Sequence, residues 1–262
     1  MNSLSSILEV KNLSVSINGH KILEDITLSF VKNKITTIIG PSGSGKSIFL
    51  HCLNRLNDIE HFELEIEGKV LLENQNIYEL PEEKVYSLRR SIGIVEQKPE
   101  PFPFSIYENV IYGQRIRGLK DKKKLDEIVE RSLKEAALWN EVKDRLDEEA
   151  IKLSGGQQRR LCIARTIAVS PEIILMDEPI GGLDPTSSFK IEDLMQKLKT
   201  LYTIILVTHN TSLARRVSDY IAFFFTAEPS IPSYLIEYDL AEIILKKPKN
   251  KLTEDYIRGE IG

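Results

Sequence analysis

Short apolar runs separated by polar turns occupy the first part of the chain. Between Ile7 and Ile39 these runs alternate with turn signals at Asn18-Gly19 and Lys32-Asn33, which predicts antiparallel strands. The pattern continues through residues 70–80, and Leu80-Pro81-Glu82-Glu83 then predicts the start of a short helix. We therefore expect an antiparallel β subdomain near the N-terminus.

The pattern changes after residue 98. Prolines at positions 99, 101 and 103 interrupt regular structure, and two stretches with helical spacing follow, Ile106 to Gly118 and Lys122 to Leu146. One apolar stripe runs along the second stretch and consists of Leu125, Ile128, Val129, Leu133, Ala136 and Ala137. We predict two helices here, with the Lys122-Lys123-Lys124 run on a solvated face.

The composition of the chain argues against some classes of function. Of 262 residues, 28% are charged and 42% are hydrophobic, and the net charge of −4 gives no reason to expect nucleic acid as the main partner. No apolar run approaches a membrane span, and the densest, Tyr220 to Phe225, predicts an inner sheet strand. Residues 1–6 lack the pattern of a signal peptide, and Cys52 and Cys162 are expected to be reduced core residues.

A glycine-rich loop follows the apolar run Ile35 to Ile39. Its sequence is Gly40-Pro41-Ser42-Gly43-Ser44-Gly45-Lys46-Ser47, and a helix-like stretch begins directly after it. A strand, a glycine loop and a helix in this order surround phosphate groups with backbone N–H donors. Lys46 is then expected on the outer phosphates and the Ser47 hydroxyl on Mg²⁺. The sequence predicts a nucleoside triphosphate site.

A second glycine motif, Leu153-Ser154-Gly155-Gly156-Gln157, precedes a helix-like stretch over residues 158–168. Ser154 is predicted to be the N-cap of this helix, so that free N–H donors and the positive end of the helix dipole lie beside it. The LSGGQ motif resembles the signature of the ATPase subunits of ABC transporters. This resemblance implies an ATP-hydrolysing enzyme with ATP and Mg²⁺ as cofactors.

An apolar strand ending in two carboxylates supports the same resemblance. Residues 173–178 resemble the Walker B strand of the family, which implies that Asp177 holds Mg²⁺ and that Glu178 is the base that polarises the attacking water. The segment Gly181-Gly182-Leu183-Asp184 resembles the D-loop, with GGLD in place of the commoner SALD. The two glycines make this loop more flexible than usual, and Asp184 is retained.

Two more strand-like runs end at family motif residues. Gln97, after Ile92-Gly93-Ile94-Val95, matches the glutamine that touches Mg²⁺ and the attacking water. His209, after residues 204–208, matches the switch histidine that contacts the γ-phosphate. The resemblance thus implies Glu178, His209 and Gln97 as catalytic residues and Ser47, Gln97 and Asp177 as the metal site.

The adenine-stacking aromatic residue of the family is replaced in this chain. Counting back from Asp25-Ile26, the matching position is Ile17. An aliphatic side chain can cover the face of adenine, but it gives up ring stacking. Base selectivity and ATP affinity are the properties that this replacement affects, whereas the hydrolysis chemistry does not depend on it.

The resemblance also implies a fold and an assembly. The fold is α/β, with a RecA-like P-loop NTPase core, an N-terminal antiparallel β subdomain and an inserted helical subdomain. We predict a single ABC ATPase domain over residues 6–262, with the helical insertion at about 98–152 and short strands and helices at about 221–262. In the family two copies close head to tail, so that Ser154, Gly156 and Gln157 of one chain cap the γ-phosphate in the other and Asp184 links the two sites.

The segment from Gln97 to Val110 closely resembles the QKPxPFPxSIYENV stretch of phosphate-import ATPases of the Pst type, and residues 253–259 are similar to the ending of that subfamily. This implies an ATPase at the cytoplasmic face of the cell membrane that drives phosphate uptake through separate permease subunits, together with an extracytoplasmic phosphate-binding protein. Phe102, Phe104 and Tyr107 either line the groove for the permease's coupling helix or pack the helical subdomain.

Other functions remain open at this point. An amino-acid importer would share all the ATPase motifs, because the transported molecule never touches this subunit. A DNA-repair ABC ATPase would also share them, but it requires a long coiled coil in place of the insertion of about fifty-five residues. A ribosome-associated ABC protein would carry two such cassettes in one chain, and this sequence has one.

Overall fold

Strands and helices alternate along the chain in the computed structural model, which describes residues 5–59, 63–228 and 230–261. The strands are β1 (Ser6–Ile17), β2 (His20–Val31), β3 (Ile35–Ile39), β4 (Leu64–Leu72), β5 (Gln75–Asn76), β6 (Ile92–Val95), β7 (Ile173–Asp177), β8 (Thr203–Thr208), β9 (Tyr220–Phe225) and β10 (Tyr234–Leu240). The α-helices are α1 (Lys46–Cys52), α2 (Glu82–Ser91), α3 (Ile106–Ile116), α4 (Lys122–Glu135), α5 (Trp139–Val142), α6 (Gly155–Ile167), α7 (Pro185–Leu198), α8 (Thr211–Val217), α9 (Ala241–Lys246) and α10 (Lys251–Arg258). Residues 1–4, which belong to the stretch without a signal-peptide pattern, and Gly262 of the predicted domain lie outside the described residues.

The N-terminal hairpin forms part of an antiparallel sheet with the strand order β2-β1-β4-β5. Asn18 and Gly19 connect β1 to β2 with positive φ angles of 49° and 76°, as a two-residue turn between twisted strands requires. The predicted antiparallel subdomain is confirmed for β1, β2 and β4. The last run before the glycine loop is different, because all five residues of β3 are buried and the strand belongs to a second sheet.

The second sheet has the order β10-β9-β3-β8-β7-β6, and all its strands except β10 run parallel. The prediction that Tyr220 to Phe225 form an inner strand is confirmed, since β9 lies between β10 and β3. Parallel strands bring their carboxyl ends to one edge of a sheet, and ligands bind at that edge in open α/β folds. The glycine loop, Gln97, Glu178 and His209 all follow strands at this edge.

Two hydrophobic cores cover the two faces of this parallel sheet. Ile174 and Met176 of β7 point into a core shared with the helices α3 to α7. The alternate residues Ile173 and Leu175 point into a core shared with α1 and the antiparallel sheet. Cys162 lies in the first core and Cys52 in the second, which agrees with their prediction as core residues.

The helical stretch after Lys122 is shorter than predicted. The helix α4 ends at Glu135, whereas one helix to Leu146 was expected, and only the short helix α5 follows. Leu138 N donates to Leu133 O (2.8 Å) and Ala137 N donates to Lys134 O (3.0 Å), with Ala137 in the left-handed conformation (φ 52°). These are the two hydrogen bonds of a Schellman motif, which ends a helix. Ala137 is therefore exposed and does not belong to the apolar stripe.

The two sheets are joined beside the glycine loop. Ser233 N donates to Ile22 O (2.8 Å), and Ser233 O accepts from Glu24 N (3.0 Å), so the segment before β10 pairs with β2. This connection holds Ile22 and Leu23 against Gly45 of the loop. In the part of the chain described here, none of the helices has both the length and the apolar character that crossing a bilayer requires.

Candidate active site

The glycine loop connects β3 to α1 at the carboxyl edge of the parallel sheet. Gly43 and Gly45 have φ angles of 83° and 73°, in the left-handed region that favours glycine. A Cβ atom at Gly45 would lie 2.7 Å from Leu23 Cδ2, so this position also lacks space for a side chain. The backbone conformation therefore favours glycine at both positions, and the lack of space adds to this at Gly45.

Lys46 is buried inside the curl of this loop. Its Nζ donates hydrogen bonds to Gly40 O (2.8 Å) and Pro41 O (2.6 Å) and lies 3.4 Å from Ser44 Oγ. Burial lowers the pKa of Lys46, and the charges of Glu178 and Asp177 act in the opposite direction. The ammonium group is thus held at the loop with two carboxylates close enough to favour its charge.

A pocket of about 370 Å³ opens beside the loop. Its walls are Ser42, Gly43, Gly45, Lys46, Ser47, Ile48, Gln97, Asp177, Glu178 and His209. Every residue that the sequence assigned to catalysis or metal binding therefore lines one pocket. Gly40, Pro41 and Ser44 lie behind it as hydrogen-bond acceptors of Lys46.

Glu178 follows β7 with an unusual backbone conformation. Its φ angle is 40°, which is uncommon for a residue other than glycine and is found preferentially at functional sites. Oε2 accepts a hydrogen bond from Thr208 Oγ1 (2.8 Å), and Oε1 accepts from His209 N (2.8 Å) and lies 2.6 Å from His209 Nδ1. Three contacts from the end of β8 therefore fix the orientation of this carboxylate.

Asp177, the last residue of β7, is buried beside Ser47. Burial raises the pKa of Asp177, and a hydrogen bond with the Ser47 side chain opposes this effect. Gln97 lines the same pocket and adds an amide oxygen. Hydroxyl, carboxylate and amide oxygens are the donors that Mg²⁺ prefers, so the chemistry of these predicted ligands fits that ion.

His51 and Glu96 extend this cluster and were missed at the sequence level. His51 Nε2 lies 3.4 Å from Glu96 Oε2, and ligand atoms of both residues lie within 4.8 Å of one from Asp177. His51 comes from α1 and Glu96 from the residue before Gln97, so no local motif unites them. Only the packing of α1 against the strand edge brings them together.

Arg159 is a second residue that the sequence did not indicate. Its side chain is fully buried, and its guanidinium donates hydrogen bonds to Glu96 O and Gln97 O. The helix α6 thereby holds the backbone of Gln97 in place. An arginine two residues after LSGGQ carries no signal for this role, because arginine in a helix is usually exposed.

Ser154 is the N-cap of α6, as predicted. Ser154 Oγ accepts from Gln157 N (3.4 Å), and Gln157 Oε1 accepts from Ser154 N (3.0 Å), which completes a capping box. Ser154 and Gly155 are exposed, and Ser154, Gly156 and Gln157 do not belong to the pocket that contains Lys46. Within one chain, the LSGGQ motif and the glycine loop form separate surfaces.

Asp184 is the N-cap of α7 and lies next to the LSGGQ motif. Asp184 Oδ1 accepts from Ser187 N (3.0 Å). A Cβ atom at Gly156 would lie 2.7 Å from Ser187 Oγ, so the starts of α6 and α7 are in close contact. Asp184 also lies outside the pocket that contains Lys46.

Ile17 lies at the end of β1, next to the hairpin turn. It is opposite His20 in β2 and Leu64 in β4, and it is partly buried. Ile17 does not line the pocket that contains Lys46. Its predicted contact with adenine stays a prediction.

The Pro/Phe segment presents an aromatic surface next to Gln97. Phe102 and Phe104 pack with Tyr112 of α3, with ring centroids 4.6 and 5.9 Å from that of Tyr112, and Arg165 lies 4.2 Å from the centroid of Phe102. We call Phe102, Phe104 and Tyr112 the aromatic patch. Tyr107 does not join it, since its ring packs against the helical core and its hydroxyl donates to Asp126 Oδ1 (2.8 Å).

Comparison with known proteins agrees with this site. Residues 23–181 match the family described as ABC transporter. The chain belongs to this family, and as an ABC ATPase it is an ATP-hydrolysing enzyme.

Two solved structures share the architecture. The cbiO1 protein of Clostridium perfringens, described as part of the ABC transporter complex cbiONQ, is 25% identical, with a TM-score of 0.77 over 98% of this chain and 99% of its own. The ATP-binding cassette MJ0796, in a dimeric post-hydrolysis state bound to ADP and phosphate, is 28% identical, with a TM-score of 0.73 over 89% of this chain and 98% of its own. The predicted α/β P-loop fold with an antiparallel subdomain is confirmed by these likenesses.

Proposed function

We propose that this protein is the ATP-hydrolysing subunit of an importer of inorganic phosphate of the Pst type. One observation carries the proposal. The segment that resembles the Pst stretch begins at Gln97 in the ATP pocket and continues into the aromatic patch. A permease segment that binds the patch would therefore act directly on a residue of the pocket.

Asn109 gives this segment its fixed shape. Its buried side chain donates to the carbonyl oxygens of Phe102 (3.1 Å) and Ser105 (2.9 Å) and accepts from Phe102 N (2.8 Å). Phe104 and Tyr112 remain 43% and 38% exposed. Aromatic side chains that are held rigidly and left exposed are typical anchors of protein interfaces. We assign this patch to the coupling helix of a separate membrane permease.

The pocket residues have distinct proposed roles in ATP hydrolysis. Lys46 would contact the outer phosphates in place of the loop carbonyls. Ser47, Gln97 and Asp177 would hold Mg²⁺, which would supply charge neutralisation at the phosphates. Glu178 orients the attacking water and accepts its proton. His209 contacts the γ-phosphate and, through Nδ1, keeps the Glu178 carboxylate directed into the pocket.

The second half of the ATP site is proposed to come from another copy of the chain. Ser154 and Gly155 are exposed and lie away from the pocket of their own chain, which leaves them available to a partner. Head-to-tail closure places Ser154, Gly156 and Gln157 on the partner's γ-phosphate, with Asp184 between the two sites. The dimeric state of MJ0796 with ADP and phosphate supports this arrangement.

The complete importer then contains two copies of this chain as single-domain ATPases over residues 6–262. They lie at the cytoplasmic face of the cell membrane, on permease subunits that receive phosphate from an extracytoplasmic binding protein. The membership of cbiO1 in a transporter complex supports the association with a permease.

Phosphate uptake at low external phosphate tests the proposal. In cells that lack this gene and every other phosphate transporter, the wild-type gene should restore uptake and Glu178→Gln should not. Loss of a general base lowers turnover by about 10²- to 10⁴-fold. Glu172→Gln is the matched control, because Glu172 flanks the opposite end of β7 and is exposed.

Two outcomes test the transported substrate and the catalytic residue separately. Uptake that is the same with and without the gene, while the purified protein hydrolyses ATP, would remove phosphate as the substrate. Full ATPase activity of purified Glu178→Gln would remove Glu178 from the catalytic role.

A further inference from the structure

The helix α10 packs behind the first residue of the glycine loop. Tyr256 of this helix is 6% exposed, and its ring stacks on Phe223 with the centroids 4.9 Å apart and the planes at 27°. Phe223 is paired with Ile39 across β9 and β3, and Ile39 immediately precedes Gly40. The ring of Tyr256 therefore packs on Phe223, which is paired with the residue that precedes the glycine loop.

The hydroxyl of Tyr256 contacts the switch histidine of the site. It donates a hydrogen bond to His209 O at 3.5 Å. Burial raises the pKa of Tyr256 to about 12, so the hydroxyl keeps its proton and remains a donor at neutral pH.

The backbone on either side of Tyr256 has little freedom to move. A Cβ atom at Gly40 would lie 2.1 Å from Phe224 O, which shows how closely the loop backbone packs on β9. On the side of the hydroxyl, His209 N donates to Glu178 Oε1 (2.8 Å). A shift of the His209 backbone would therefore move the Glu178 carboxylate as well.

The position of α10 is fixed independently of the site. The buried carboxylate of Glu237 in β10 accepts from Lys249 N (2.8 Å) and Asn250 N (3.2 Å), and Asn250 caps the helix through Leu252 N (2.9 Å). A cavity of about 410 Å³, lined in part by Ser42, His209, Tyr256 and Gly259, shows that the end of α10 borders the nucleotide pocket.

We propose that Tyr256 is a positioning residue for ATP hydrolysis. Its hydroxyl holds the backbone of His209, so that the Glu178–His209 pair keeps its orientation toward the phosphates. This inference rests on the proposed roles of Glu178 and His209. Tyr256 itself is separated from the nucleotide by the residues that it positions.

Tyr256→Phe tests the proposal in the purified full-length protein, because it keeps the ring on Phe223 and removes only the hydroxyl. We expect kcat for ATP to fall about 2- to 12-fold, the range for the net loss of one hydrogen bond, with KM changed by less than about twofold. Tyr238→Phe is the matched control, since that hydroxyl donates to Ser29 O of β2 (2.5 Å) and neither residue lines the Lys46 pocket. It should leave both constants unchanged.

A double mutant decides whether Tyr256 acts through Glu178. In a Glu178→Gln background, Tyr256→Phe should cause no further loss of the residual kcat, because residues that act as a unit are not additive. Wild-type kcat in Tyr256→Phe, equal effects of Tyr256→Phe and Tyr238→Phe, or additive losses in the double mutant would each overturn the inference. Full turnover by His209→Ala and Glu178→Gln alone would instead refute the proposed roles on which it rests.

Discussion

Arg160 is a buried cation that forms an ion pair with the Glu141 carboxylate. Its guanidinium forms two hydrogen bonds with the Glu141 carboxylate (2.8 and 2.9 Å), and the Arg160 side chain is only 5% exposed. This hydrogen bonding lowers the pKa of Glu141 to about 2, and a hydrogen bond from Gln157 adds to the effect. The pair ties α5 to the start of α6, where the LSGGQ motif lies.

We predict that Glu141→Gln lowers the free energy of unfolding by about 1 kcal/mol at pH 7, a modest value because the carboxylate is partly in solvent. The folded-state pKa lies below the usual 4.5, so the contribution of Glu141 is complete above pH 4.5 and decreases as the pH falls toward 2. Urea unfolding of both proteins from pH 7 down to pH 3 measures the difference.

Glu148→Gln is the control for this measurement, because Glu148 pairs with Arg145 at 3.3 Å on the surface. It should change the stability by less than about 0.5 kcal/mol. Equal free energies of unfolding for wild type and Glu141→Gln at pH 7 would contradict the proposal that the Glu141 carboxylate stabilises the buried Arg160 cation.

The sequence located the residues that directly follow strands of the parallel sheet. Gln97, Glu178 and His209 meet because parallel strands end at one edge, a property of the backbone pattern. Arg159 and Tyr256 reach the same region from helices far away in the sequence. Their contacts depend on how helices pack on the sheet, and this packing cannot be predicted from the spacing of residues along the chain.

At the scale of elements, strands and helices were predictable where apolar runs were long, and helix ends were less so. The end of α4 is an example, because its Schellman motif has alanine at the left-handed position where glycine is usual. Ala137 also continued the apolar spacing, so the sequence predicted a longer helix. The hydrogen bonds that end the helix form without the residue that normally signals them.

We predict that Ala137→Gly stabilises the protein by about 1 kcal/mol, because glycine adopts the left-handed conformation without the steric cost of a Cβ atom. Ala136→Gly is the matched control: Ala136 is buried and has a right-handed φ of −79°. That variant should lose about 1 kcal/mol. Thermal unfolding of the two variants compares them, and a loss of stability in Ala137→Gly would contradict the assignment of strain to this position.

At the scale of the whole molecule, the Lys46 pocket and the exposed LSGGQ motif form separate surfaces of the chain, while the motif packs directly against the start of α7. The composite site proposed above therefore requires two copies. The sequence implied this assembly only through its family resemblance, because nothing in one chain's periodicity describes a partner.

We predict that Ser154→Arg prevents ATP-dependent dimerisation by placing a bulky side chain at the partner's γ-phosphate. The variant should still bind ATP, since its own Lys46 pocket is unchanged. Light scattering after gel filtration, in a Glu178→Gln background that retains bound ATP, measures the dimer. The control Ser154→Thr keeps the helix cap and should dimerise normally. A normal dimer in Ser154→Arg would disprove the composite site.

The chain contains two cysteines, and the parallel sheet separates them. Cys52 is 0% exposed in the core on one face and Cys162 is 5% exposed in the core on the other. A thiol reagent reaches each sulfur only when the layer above it opens. The labelling rate at each cysteine therefore reports how often the layer above it opens. The two cysteines are natural probes of local unfolding on the two faces of the sheet.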